Sequence, residues 1–144
     1  MNNQTLSAKD YLSQAYRIDL RINSKIEQVQ SLRNLAEKAV TTLSDTPNNG
    51  TRNIRRMEGV IAKIVDLESE INADIDDLVD LKSEIVSLIK YVEGPELQTL
   101  LEMRYLCFKT WEQISVELHL DIRWIHRLHN KALNEVDAIR HYRP

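Results

Sequence analysis

Apolar residues return every seven positions through the first part of the chain. Ala15, Ile22, Val29, Ala36 and Leu43 form one track, and Ile18, Leu32 and Ala39 form its companion. Lys25 interrupts the companion, with Ile26 beside it. This rhythm predicts a long amphipathic helix over about 7–43. Residues 44–51 (Ser-Asp-Thr-Pro-Asn-Asn-Gly-Thr) are turn formers and predict a loop, with Thr51 or Asn53 capping the second helix. A second track, Met57, Ile64, Ile71, Leu78, Ile85 and Val92, predicts that helix over about 53–92. Ile54, Ile61, Ile75 and Ile89 flank it, with Glu68 and Lys82 as polar exceptions.

At about 1.5 Å per residue each helix is roughly 55–60 Å long. Joined by one loop, the two are expected to form an antiparallel, coiled-coil-like hairpin. Val60, Leu67, Leu81 and Leu88 widen the apolar face beyond a two-track seam. At about 25 cal/mol per Å2, leaving them wet forfeits several kcal/mol. Self-association, with a dimer favoured, or folding back of the remaining chain is therefore expected.

Gly94-Pro95 then punctuates the pattern, Gly suiting a helix end and Pro the first turn of the next helix. The expected organisation is a hairpin over 1–93, for oligomerisation or partner docking, and a three-helix module over 94–144. The module's helices are predicted at about 95–108, 111–118 and 122–140. The whole is all-α.

Composition narrows the class. Of 144 residues 42% are hydrophobic and 28% charged, an ordinary globular balance, and Gly and Pro occur three times each. No basic-then-apolar leader opens the sequence and no apolar run approaches membrane-spanning length. A cytoplasmic protein is expected. The lone Cys107 excludes an internal disulfide, and within Tyr105-Leu106-Cys107-Phe108 it is expected as a small buried hydrophobe. No nucleophile–base pair, phosphate loop or ligand cluster points to an enzyme, and no cofactor or metal is expected. His126 and His129 are three apart, but no carboxylate or Cys joins them at ligand spacing.

Net charge is −3, and its distribution is uneven. Residues 94–144 hold seven basic and seven acidic side chains and all four histidines, and no acid falls between Ile122 and Asn134. Asp66, Glu68, Glu70, Asp74, Asp76, Asp77, Asp80 and Glu84 form an acidic run, which suits a solvated helix face or a docking face for a basic partner. Arg52, Arg55 and Arg56 open the second long helix, where positive charge opposes the helix dipole unless phosphate or a carboxylate offsets it.

Thr110 with Gln113 has capping-box spacing, His119-Leu120-Asp121 breaks the apolar rhythm, and Asp121 suits the next N-cap. Ile114, Leu118 and Leu120 can then face Ile125, Leu128, Leu133 and Val136 across a three-residue turn, as in a helix-turn-helix. The opposite arc presents Arg123, Trp124, His126, Arg127, Asn130 and Lys131. Forked Arg donors suit guanine, an Asn amide suits adenine, and Lys suits phosphate. Trp124 suits either a wedge against the DNA backbone or a packing contact. The plainer alternative is a three-helix packing unit with a solvated basic face.

The segment from Leu97 to Val136 resembles region 4 of bacterial sigma factors, through "WEQISVEL", a turn, and "IRWIHRLHNKAL". Nearly the whole chain resembles a phage-encoded family with such a C-terminus, through "YLSQAYRIDLRI", "TRNIRRME" and "LLEMRYLCFKTWEQI". That family includes late transcriptional regulators of phages of Gram-positive bacteria. The resemblance implies double-stranded DNA and host RNA polymerase as partners, in a bacterial host cell. It places Ile122, Arg123, His126 and Arg127 near base edges. Two departures stand out: Ser115 where Ala is usual, and His119 where Gly is usual. The expected function is sequence-specific, DNA-binding transcriptional regulation of the phage type, activating late genes with host RNA polymerase. The alternatives are a packaging adaptor of the small terminase kind, or a helical module that captures a host protein.

Overall fold

The computed structural model describes residues 6–43 and 50–142. The fold is all-helical, with no strand among the described residues. Its helices are α1 (Ala8–Leu43), α2 (Gly50–Ile89), α3 (Pro95–Leu101), α4 (Trp111–Leu118) and α5 (Ile122–Tyr142). Residues 44–49 of the expected loop lie outside the described residues. Gly50, Thr51 and Asn53 already belong to α2, so neither Thr51 nor Asn53 caps it.

The chain divides into two compact units: residues up to Ile18 together with those from Leu78 onward, and residues Asp19–Asp77. The boundary expected between 93 and 94 falls inside the first of these.

In the unit of residues 19–77, α1 and α2 lie side by side with Ile22, Val29 and Ile71 buried between them. Lys25 pairs with Asp74 at 2.7 Å and Arg33 with Glu68 at 3.1 Å, so the two stretches run antiparallel. Lys25, the interruption in the α1 pattern, is therefore answered by a carboxylate at the matching level of α2. The companion track on α2 is Val60, Leu67 and Asp74, continuing as Leu81 and Leu88, and its apolar members are buried or half-buried. Of the residues read from the sequence as the flank of the Met57 track, Ile54, Ile61 and Ile75 are exposed and Ile89 is buried. Both sets fit a three-and-four spacing, and periodicity alone does not say which one α1 covers.

The other unit is built around α5, which packs on α3 and α4. Its core joins Leu12 and Ala15 of α1, Ile85 and Leu88 of α2, Leu100 and Leu101 of α3, Ile114 of α4, and Ile125, Ala132 and Val136 of α5. Leu81 and Leu88, which needed cover, belong to this core. The start of α1 is pinned to α5. The Ala8 amide, left free by the helix geometry, donates to Asp137 Oδ1 at 2.8 Å. Arg140 donates to the Leu6 carbonyl at 2.7 Å and lies 4.4 Å over the Tyr11 ring.

Gly94, at φ 100°, makes the left-handed joint before α3, and Pro95 takes its first position. The helix expected over 95–108 is not uniform. After Leu101 it loosens into a π-helical turn over Glu102–Leu106, closed by Cys107 N–H to the Glu102 carbonyl at 3.0 Å. The wider turn changes which side chains face inward, so Tyr105 is buried and Cys107 is exposed. The expectation of a buried Cys107 is corrected accordingly. Phe108 follows in the left-handed region at φ 57°.

Candidate functional site

The site begins at the α4–α5 turn. Thr110 caps α4 reciprocally: its hydroxyl accepts from Gln113 N–H at 3.2 Å and its own amide donates to Gln113 Oε1 at 2.9 Å. At the far end His119 adopts φ 56°, ψ 41°, the left-handed conformation that the turn requires. A side chain there costs about 1 kcal/mol or more relative to glycine. Ser115 offsets part of this. Its carbonyl accepts from Leu120 N–H at 3.1 Å, and its hydroxyl donates back to the Leu120 carbonyl at 2.5 Å. Ser115 and His119 thus act on one turn. The Asp121 backbone carbonyl then accepts Ile125 N–H at 2.9 Å, opening α5.

On α5 the residues divide by face. Ile125, Leu128, His129, Ala132 and Val136 are buried, at helical spacing. Ile122, Arg123, Trp124, His126, Arg127, Asn130 and Lys131 are all exposed, Trp124 by 45%. Every candidate residue therefore lies outside the buried arc of one helix. Arg123, Arg127 and Lys131 form no ion pair among the described residues, so their charges stay available to an anionic partner.

Behind this face sits a polar cluster that residue spacing did not disclose. Tyr105 Oη and His129 Nε2 share a buried 2.6 Å hydrogen bond. Burial pushes the His129 pKa down to about 4, helped by the positive charges of Arg104, Lys9 and His126. Burial likewise raises Tyr105 to about 12, against a smaller lowering by Arg104. Both groups are therefore neutral near pH 7. Trp111 packs edge-on to His129 at 4.5 Å and against His126 at 5.1 Å, linking the buried cluster to the exposed arc. Arg104 lies 4.3 Å over the other side of this network, on the Trp111 ring, and donates to the Lys109 carbonyl at 2.9 Å.

Beside Trp111 a cleft of about 200 Å3 is lined by Lys9, Ser13, Tyr16, Arg104, Tyr105, Phe108, Thr110 and Trp111. It carries two cations and no carboxylate. Lys9 belongs to the first turn of α1, far from the module in sequence, and only folding brings it here. The one available signal for His129 was its place on the 125, 128, 132 arc, which marked it as inward-facing.

Elsewhere, part of the acidic run is used within the chain. Glu68 and Asp74 pair with Arg33 and Lys25, and Glu84 accepts from the Tyr11 hydroxyl at 2.9 Å. Arg52, Arg55 and Arg56 are exposed. No helix among the described residues is long and apolar enough to cross a membrane.

No curated protein and no solved structure matches the chain. A family described as a protein of unknown function (DUF1492) matches residues 41–137, which run from the end of α1 into α5. Since that match spans about two thirds of the sequence, the chain belongs to this family.

Proposed function

We propose that this protein is a sequence-specific DNA-binding transcriptional regulator of the phage type, acting with host RNA polymerase inside the bacterial cell. In this reading α4, the His119 turn and α5 form a helix-turn-helix, and the antiparallel α1–α2 pair is a hairpin that carries it. The observation behind the reading is the division of α5 into a buried apolar arc and an exposed arc with three cations that have no ion pair among the described residues. Major-groove readout needs that combination: a rigid helix, forked donors, an amide, and local positive charge.

Arg123 and Arg127 are assigned to base edges, with Asn130 and His126 beside them. Lys131 is assigned to phosphate. Arg104 stacks on Trp111, which packs against His126, and the cleft cations Lys9 and Arg104 are assigned to a further phosphate. Thr110 on the cleft wall marks the N-terminus of α4, whose dipole favours an anion there. A second copy of the chain completes the assembly, because paired half-sites are how such modules gain specificity.

The test is selection of bound sequences from a random duplex pool by the full chain, followed by gel-shift titration. A shared motif that Arg123→Ala relaxes supports the reading. Recovery of no enriched sequence, with equal retention of competitor DNA, refutes it.

A further inference from the structure

One face of α2 carries exposed apolar side chains. Ile54, Ile61, Val65, Ile75, Val79 and Val86 lie along it, each 40–59% exposed. With Glu58, Glu68, Asn72 and Lys82 they make an uninterrupted series of alternating four- and three-residue steps from 54 to 86. That is the spacing of a coiled-coil seam. It is distinct from the inner seam of Met57, Val60, Ile64, Leu67 and Ile71, all of which are at least half-buried.

We propose that this outer seam is the interface of an antiparallel homodimer, α2 against α2, about a two-fold axis beside Glu70. The proposal deepens the self-association included in the functional reading by giving it a surface, an orientation and a register. A two-fold interface must be complementary to itself. In the proposed register Ile54 meets Val86, Ile61 meets Val79 and Val65 meets Ile75 of the second copy. Glu58 meets Lys82, and Glu68, which also keeps its ion pair with Arg33 of its own chain, meets Asn72. Every apolar residue is thus placed on an apolar one, and every polar residue on a polar one.

Neighbouring registers do not share this property. Sliding by one heptad in one direction sets Glu58 on Ile75 and Ile61 on Asn72. Sliding in the other direction sets Val65 on Lys82 and Glu68 on Val79. A parallel pairing stacks each residue on itself, placing Glu58 on Glu58, Glu68 on Glu68 and Lys82 on Lys82, and like charges at such positions repel. Charge supports the same choice. Neither Glu58 nor Lys82 has an ion-pair partner among the described residues. The Lys82 ammonium is held 4.8 Å over the Phe108 ring, which leaves it short of a carboxylate.

The experiment uses the full chain without DNA, so its outcome is independent of whether the chain binds DNA. Light scattering at about 50 μM should give twice the 16.8 kDa chain mass. In a Cys107→Ser background, oxidation of Val65→Cys/Ile75→Cys should trap a covalent dimer. Val65→Cys alone should not, since its two copies sit ~15 Å apart along the seam at about 1.5 Å per residue. Glu58→Lys and Lys82→Glu should each weaken the dimer about 5- to 10-fold, and the double swap should restore it to within about two-fold. A monomer, a larger ring, cross-linking by Val65→Cys alone, or a failed rescue overturns the proposal. Circular dichroism of each variant confirms that helix content is kept.

Discussion

The Ser115 hydroxyl donates to the Leu120 carbonyl at 2.5 Å, across the turn where His119 takes a left-handed backbone. One unfavourable residue and one compensating residue therefore share a turn. His119→Gly should stabilise the fold by roughly 1 kcal/mol, because glycine enters this conformation without the Cβ clash. Ser115→Ala should cost about 1 kcal/mol through the lost hydrogen bond. Urea denaturation measures both, and if His119→Gly destabilises, the strain assigned to the turn is wrong.

Tyr105 and His129 predict a pH dependence. The folded-state pKa of His129 is lowered to about 4, so the unfolded chain binds its proton more readily. The contribution is fully present above the ordinary value near 6.5 and is lost as pH falls from there towards 4. It is on the order of 2 kcal/mol once partial solvent screening is allowed for. His129→Gln should flatten the stability profile between pH 6.5 and pH 4. An unchanged slope in that variant would place the acid sensitivity elsewhere. Tyr105→Phe should cost about 1–3 kcal/mol at pH 7, by leaving a buried imidazole nitrogen unpaired.

Lys25 and Asp74 form a polar layer within an otherwise apolar seam, with their side chains 19% and 13% exposed. Asp74 also lies 3.7 Å from Arg21 Nε. Asp74→Leu alone should cost about 1–2 kcal/mol, since it strands Lys25 among apolar neighbours. Lys25→Leu combined with Asp74→Leu should recover that loss and add stability. A double-mutant cycle by chemical denaturation gives the coupling, and a value near zero would show that solvent already screens the pair.

For DNA binding, Arg123→Ala and Arg127→Ala should each cost about 1–3 kcal/mol and relax base preference. Lys131→Ala and Lys9→Gln should instead lower the slope of log affinity against log salt by about one each, with preference kept. Titrations from about 50 to 200 mM salt separate the two classes. A salt slope untouched by Lys9→Gln would remove the cleft from the interface.

Docking of the α1 start onto α5 rests on Asp137 accepting the Ala8 amide. Asp137→Ala should cost about 1 kcal/mol, as the loss of a helix N-terminal acceptor does. Thermal denaturation reads this as a lowered midpoint, with the helix content at low temperature unchanged. No shift in the midpoint would mean that water replaces the carboxylate.

The sequence by itself determined that the chain is helical, because heptad spacing and scarce glycine and proline act locally. It also located the Gly94-Pro95 joint, the Thr110–Gln113 cap and the exposed arc of α5, since capping and helical periodicity involve residues only a few positions apart. It did not show which of two equally spaced stripes on α2 faces α1. It also missed the π-helical turn that exposes Cys107 and buries Tyr105. Both depend on what packs against a helix, which no local rule contains. The convergence of Lys9, Arg104, Trp111 and His129 likewise belongs to tertiary structure, as does the answer of Asp74 to Lys25. Those groups come from separate stretches of the chain, and folding alone brings them together.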